Sequence, residues 1–322
     1  MRHEIVVSII NYRTPDLTQS CAQSALDALG DRAGRVVIVE NASGDGSDQI
    51  LSDWVVAHPE KNRLSLVVSD TNAGFSGGHN QGMAAAEATY YLLLNSDALL
   101  RPDFFDAILP VAEAYPDAGL IAPRIEHEDG VAQDSCFRFH GPGSELIRSA
   151  CTGAITKLLK RHEVSLGPDP DPDQIEWASF ACILLRGEMV AQLGPMDEGY
   201  FLYYEDAEYC LRARRAGWGI AYAPAARAVH FRGGSGPVKA MAAAKKRMPP
   251  YYYASRTRFL YQAHGRAGLI AANLAWYLGR GIAQARRLFG RAPYAMNEAE
   301  ARDIWINAGQ PLGPRYAPQE PS

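Results

Sequence analysis

Between Tyr209 and Asn297 the sequence carries sixteen lysines and arginines and not one aspartate or glutamate. So long a stretch without negative charge excludes an ordinary mixed-sign surface. It predicts that the C-terminal third faces something anionic: a phosphate-bearing ligand, a membrane surface or a nucleic acid. Residues 1–208 hold the reverse excess, 14 basic against 32 acidic, which a net charge of −4 conceals. Cysteine is scarce, and the five residues (Cys21, Cys136, Cys151, Cys182 and Cys210) include no close-set pair. That excludes a disulfide framework and a zinc or redox dithiol site, and fits a reducing compartment. No run of about 18 apolar residues occurs, so no transmembrane helix is expected. The opening MRHEIVVSIINY lacks the apolar core and cleavage site of a secretory leader and reads as a strand, so the expectation is a cytoplasmic protein. No recognisable DNA- or RNA-binding motif accompanies the basic third, and the acidic first two thirds argue against a nucleic-acid partner.

The 322 residues suffice for one large or two modest domains. In the first half, continuous apolar runs at 5–10, 36–39, 64–68 and 91–94 alternate with helical patterns at 14–29, 47–58 and 78–88, the signature of a parallel α/β sheet buried on both faces. Residues 124–176 break the rhythm, with a Pro and Asp run at 168–173, and read as an insertion or lid beside the sheet. A strand at 177–185, a helix at 205–216 and two short strands at 219–223 and 227–231 follow. The first domain is expected to span 1–236, leaving 237–322 as an aromatic, arginine-rich helical region. In that region Arg280, Arg287 and Arg291 share one helical face with Trp276, while Ile270, Leu274, Leu278, Ala285 and Leu288 share another. This is the layout of an interfacial helix on anionic lipid, or of a helix that packs on the first domain or on a second copy in a homodimer.

Ligands of parallel sheets bind at the carboxyl ends of the strands, and the loops there are polar. In ENASGDGS, Glu40 and Asn41 leave a buried strand and can read a base edge or a ribose, or merely build a turn that Ser47 caps. DTNAGFSGGHNQG holds four glycines around a helix start, where backbone amides can approach a sugar or phosphate. It is not GxGxxG, which argues against a dehydrogenase. Asp97, in NSD after the fourth strand, suits a divalent cation that bridges a diphosphate, and His230, at another strand end, offers a second ligand for Mn²⁺. Glu205 and Asp206 follow Tyr200, Phe201, Tyr203 and Tyr204, whose packing would raise a carboxylate pKa, while Arg212, Arg214 and Arg215 would lower it. A pair so poised suits a catalytic base.

In order, VSIINY, ENASGDGS, NAGFSGGHNQG, LLLNSDALLRPD, EWASFACILLRGE, GYFLYYEDAEYCLRARRAGW, VHFRGGS and YYYASRTRFLYQAHG resemble bacterial family 2 glycosyltransferases of the inverting GT-A type, especially rhamnosyltransferase-like enzymes. The resemblance implies an α/β GT-A fold with a Rossmann-like, mostly parallel central sheet. It implies a dTDP- or UDP-linked sugar donor, best guessed as rhamnose, and a glycan or lipid-linked acceptor. The donor would sit among Asn11, Tyr12, Glu40, Asn41, Asp45, Asp70, Asn72, Gly74, Phe75, Asn80, Asn95, Ser96 and Asp97. A Mn²⁺ or Mg²⁺ ion would rest on Asp97, with His230 beside it, and Arg232 or Arg256 would face the departing diphosphate. Asp206 would deprotonate the acceptor, with Glu205 as second choice, and Trp177, Phe180 and Tyr204 would border the acceptor. Asn95 stands where the family motif has a further acid, so metal binding is expected to be weak. That position also suits the alternative of a non-catalytic sugar-nucleotide-binding or scaffolding protein.

Overall fold

The computed structural model describes residues 3–231, 238–290 and 295–318. Four parallel strands, β1 (His3–Asn11), β2 (Gly34–Glu40), β3 (Leu64–Val68) and β4 (Ala88–Asn95), are joined by α1 (Pro15–Leu29), α2 (Ser47–Ala57) and α3 (Gly74–Ala84). Successive side chains of a strand face opposite sides. Ile5, Val7, Ile9, Val36 and Ile38 therefore enter one apolar layer and Val6, Val37 and Val39 the other. Burial on both faces is what makes these strands continuous apolar runs.

The sheet continues through β5 (Ala98–Leu100), α4 (Phe104–Ala114) and β6 (Ala118–Glu126). Next come β7 (Cys136–Phe137), α5 (Pro142–Ala150), α6 (Gly153–Leu158), β8 (Trp177–Ala178), β9 (Cys182–Arg186) and α7 (Gly187–Leu193). The last sheet strand, β10 (Gly219–His230), follows α8 (Glu205–Arg215), and α9 (Val238–Ala243), α10 (Pro250–Ala285) and α11 (Glu300–Asp303) complete the chain. Strand order is β3-β2-β1-β4-β9-β6-β10-β5, with β7 and β8 in a separate two-stranded sheet. The sheet is mixed and mostly parallel, as expected: β9 runs antiparallel to β4 and β6, and β5 antiparallel to β10.

Local expectations shift accordingly. The single strand at 177–185 is two, β8 and β9, which belong to different sheets and are parted by Ser179, Phe180 and Ala181. The two strands at 219–231 are one, with a register break between Ala223 and Arg227 where Pro224 has no amide to donate. Residues 124–126 belong to β6 rather than to an insertion. Helix α3 begins at Gly74 and ends at Ala84, four residues earlier at each end than the pattern suggested.

Part of the charge segregation is neutralised by folding. Arg212 pairs with Glu208, Arg258 with Asp197, Arg247 with Asp303 and Arg256 with Glu145. Arg214 and Arg215 donate to backbone carbonyls of Ile175, Gln262 and Ala263. For these six cations the anionic or polar partner is the chain itself. The Arg256–Glu145 pair is buried, at 1% and 2% side-chain exposure, and pins α10 onto α5, with Asn273 accepting from the Arg256 guanidinium at 2.8 Å. Burial alone would raise the Glu145 pKa, but Arg148 and Arg256 outweigh it and hold the carboxyl down at about 2. A buried charge stripped of its partner is costly. Arg256→Met is accordingly expected to lower unfolding stability by about 3–5 kcal/mol in denaturant titrations, and Glu145→Leu in the same chain to restore part of that loss.

Candidate active site

The carboxyl ends of β1, β2 and β4 open onto a cleft of about 910 Å³, within the size range of small-molecule sites. Asp97 and His230 reach it together because of one short pairing. After β4 the chain turns back, β5 pairs antiparallel with β10, and His230 falls opposite Ala98. The Phe231 amide donates to the Asp97 carbonyl at 2.9 Å, and His230 Nε2 lies 3.2 Å from Asp97 Oδ1. The Gln133 side chain donates to the His230 carbonyl at 2.7 Å and fixes the strand end.

Glu205 and Asp206 enter the same cleft from the start of α8. The two residues before the helix, Tyr203 and Tyr204, both adopt left-handed backbone, with φ of 71° and 68°. Bulky residues in that region are strained, and such strain persists only where surrounding packing enforces it. Here Tyr204 is wedged among Tyr200, Ala207 and Phe259, so the bend aims the first turn of α8 at the cleft. Burial pushes the Asp206 carboxyl up to about 6, although the amides of Ala207, Asp206 and Phe180 favour its charge. Burial, then the neighbouring Asp206 charge, raises Glu205 well above the ordinary carboxylate range, and its Oε2 is buried without a hydrogen-bond partner. The two carboxyls thus titrate as a unit, both raised by burial, Glu205 the more strongly. The aromatic environment acts as expected, but the arginines do not: Arg212, Arg214 and Arg215 are engaged elsewhere and do not lower the pair.

Of the residues expected around a donor, Tyr12, Asn41, Asp70, Asn72, Gly74, Phe75, Asn95, Ser96 and Asp97 line the cleft. Four others do not. Asn11 is buried and accepts from the Thr14 amide and the Thr18 hydroxyl. Glu40 folds back to accept from the amides of Ala42 and Ser43 in the turn after β2. Asp45 is exposed and accepts from the Ser47 amide and hydroxyl, while the N-cap of α2 is Gly46 and not Ser47, which is the first residue of the helix. Asn80 ties α3 to the Met196 backbone and Glu198.

The glycine-rich loop also departs from expectation. The Gly74 amide donates to Asn72 and the Phe75 amide to the Phe201 carbonyl, so neither is open to a phosphate. The glycines serve close packing instead. A Cβ on Gly78 would meet Ile10 at 2.7 Å, and one on Gly82 would meet Ser8 Oγ at 2.1 Å. Trp177 and Phe180 line the cleft, whereas Tyr204 packs behind it and Tyr203 takes its place. Arg256 is held in its buried pair, and Arg232 lies outside the described residues.

Sequence reasoning missed Ile125, Gln133, Asp134, Phe137 and Tyr251, which come from β6, the segment after it and α10. It also missed the C-terminal segment: Ala317 and Pro318 line the cleft, and Arg315 donates to the Ala73 carbonyl. The only available signal was the aromatic run at 251–253. As a cation site, Asp97 and His230 supply one carboxylate and one imidazole, and among the described residues no group of three His, Cys, Asp or Glu could cage a metal ion. Two oxygen- and nitrogen-donor residues fit a cation whose other positions are filled by phosphate oxygens and water.

Residues 5–158 match the family Glycosyl transferase family 2. The chain is 26% identical over 306 residues to an N-acetylglucosaminyl-diphospho-decaprenol L-rhamnosyltransferase of Mycobacterium tuberculosis, covering 89% of this chain and 92% of that one. It is 24% identical to the low-salt glycan biosynthesis hexosyltransferase Agl10 of Haloferax volcanii over 71% of this chain and 68% of that one. In fold it resembles the mannosyltransferase PcManGT of Pyrobaculum calidifontis, solved with GDP-Man and Mn²⁺, at a TM-score of 0.55, 15% identity, and coverage of 91% and 77%.

Gly74 gives the cleft wall its most restrictive position, with φ of 70° and so little space that a Cβ there would lie only 2.3 Å from the Phe201 carbonyl oxygen. Gly74→Ala is expected to destabilise the fold by about 1–3 kcal/mol in denaturant unfolding.

Proposed function

We propose, from the premise that the chain is a family 2 glycosyltransferase of glycan biosynthesis, that it transfers a sugar with inversion from a nucleoside diphosphate to a hydroxyl of a glycan or lipid-linked acceptor. The observation that carries this reading is the convergence of Asp206, Asp97 and His230 on one cleft that is also walled by strand-end loops. Asp206, ionised and half-shielded, takes the proton of the acceptor hydroxyl. The acceptor oxygen then bonds to C1 of the sugar from the face opposite the diphosphate, the bond from C1 to the diphosphate oxygen breaks, and the nucleoside diphosphate departs. Attack from the opposite face inverts the anomeric centre. Glu205, whose carboxyl burial raises well above the ordinary range, spares Asp206 a second full negative charge beside it. Trp177 and Phe180 supply an apolar wall for the acceptor, and the Asp134 carboxylate, in the same cleft, can accept from its hydroxyls.

Asp97 and His230 would hold a divalent cation, Mn²⁺ or Mg²⁺, whose charge would stabilise the departing diphosphate. The wall formed by Tyr12, Asn41, Asp70 and Asn72 suits the nucleoside. Rhamnose is the sugar favoured by the name of the mycobacterial relative, carried on a deoxythymidine diphosphate or, next, a uridine diphosphate. A non-catalytic sugar-nucleotide binder is the second reading, favoured by the amide at Asn95.

The base role fixes a pH dependence. A carboxylate that must be ionised loses activity as pH falls through its pKa, so kcat/KM should fall below pH of about 6. Asp206→Asn should lower kcat by about 10²- to 10⁴-fold, abolish that acid limb and leave donor affinity nearly unchanged. Unchanged turnover would remove Asp206 from the role, and absence of turnover in the unaltered protein with every donor tested would favour the binder. Thermal-shift titration with dTDP, UDP and GDP should show stabilisation that Mn²⁺ strengthens, and Asp97→Ala should abolish the Mn²⁺ increment.

A further inference from the structure

Helix α10 bends at Gly265, where φ is 69° and ψ is −176°, and its second part turns an apolar face outward. Positions 267, 270, 271, 274, 278, 281 and 285 follow helical spacing, and their residues (alanine, isoleucine, alanine, leucine, leucine, glycine and alanine) include no polar side chain. Ile270, Leu274 and Leu278 are 43%, 57% and 59% exposed, and the turn that follows presents Leu288 and Phe289 at 85% and 81%. The packing of α10 on the rest of the chain uses the other side. Leu269, Ala272, Asn273, Trp276, Gly279 and Ala283 are buried, and Trp276 donates to Glu300. The outward stripe is therefore not a core face.

Its surroundings state what would cover it. Arg266, Arg286 and Arg287 flank the stripe and the turn after it, and α10 has no acidic residue from end to end. The Arg286 guanidinium donates to the Cys151 carbonyl at 2.9 Å. That contact brings the end of α10 beside α6 and the short turn after it, where Lys157, Lys160, Arg161 and the 77%-exposed Leu158 are found. An apolar ridge bordered by cations from two segments matches a surface that is apolar inside and negative at its face. Among the described residues no helix is long and apolar enough to cross a membrane, so the stripe would lie in the interface plane.

We propose that the second part of α10, with residues 286–289 and the 153–162 segment, docks onto an anionic lipid bilayer. This deepens the reading of a lipid-linked acceptor, and rests on it only for its purpose, since docking itself needs no catalysis. The first part of α10 contributes Tyr251 to the cleft, so one helix would both wall the active site and seat it against the surface that carries a lipid-linked acceptor.

The test is co-sedimentation of the full chain with phosphatidylcholine vesicles, with and without phosphatidylglycerol, at low and high salt. Binding is expected only to the anionic vesicles, weakened by salt. Leu274→Ser with Leu278→Ser should lower the bound fraction at least about tenfold, while leaving thermal stability and the dTDP or UDP thermal shift unchanged. Arg287→Glu should weaken binding without altering the apolar ridge. No binding to anionic vesicles, or binding indifferent to both changes, overturns the proposal. So does a dimer in light scattering that the double serine variant dissolves without any effect on vesicles, which assigns the face to a second copy. Vesicle binding without sugar transfer would count against the catalytic reading alone, and transfer without vesicle binding against docking alone.

Discussion

Three residues, Ala98–Leu100, hold the site together by turning back against the end of β10. Their antiparallel pairing is the one connection that sets Asp97, at the end of the fourth strand, beside His230, at the end of the last. Without it, the two halves of the sheet would each end in a polar loop with no common focus. The pairing is short, but it is supported from both sides, by Gln133 on the His230 carbonyl and by the Phe231 amide on Asp97. The cleft is thus a property of sheet topology first and of individual loops second.

The opposing edge of the site depends on a different constraint. Two tyrosines in left-handed conformation turn the chain into α8, and the aromatic packing that holds them there also excludes water from the two acids that follow. The same side chains therefore fix direction and protonation. Helix-terminal position alone would favour charge on both carboxylates. Desolvation wins instead, and two adjacent acids come to differ in how far they are raised because one is buried without a partner while the other keeps amide donors.

Much of this architecture was legible in the sequence, for identifiable reasons. Strands buried on both faces cannot hide, and β1 to β4 appear as apolar runs within two or three residues of their observed ends. The strand-end loops pointed to the cleft, and Asp97, His230 and Asp206 do line it. What sequence reasoning could not resolve was orientation. Whether Glu40 and Asn80 face a ligand or their own backbone depends on side-chain direction within a turn, which composition does not encode. Part of the basic third is engaged within the fold: Arg212, Arg256 and Arg258 meet acids far away or on their own helix, and linear charge counts cannot show such neutralisation. The contribution of residues 315–318 left no pattern at all, because a short irregular segment has no periodicity.

That last segment has a practical meaning for handling the protein. Pro318 sits at the rim of the candidate cleft, with Arg315 anchored on the Ala73 carbonyl just before it. A label attached within residues 315–318 would crowd that rim, whereas β1 starts with His3 at the opposite pole of its strand from Asn11. The amino terminus is the safer place to engineer.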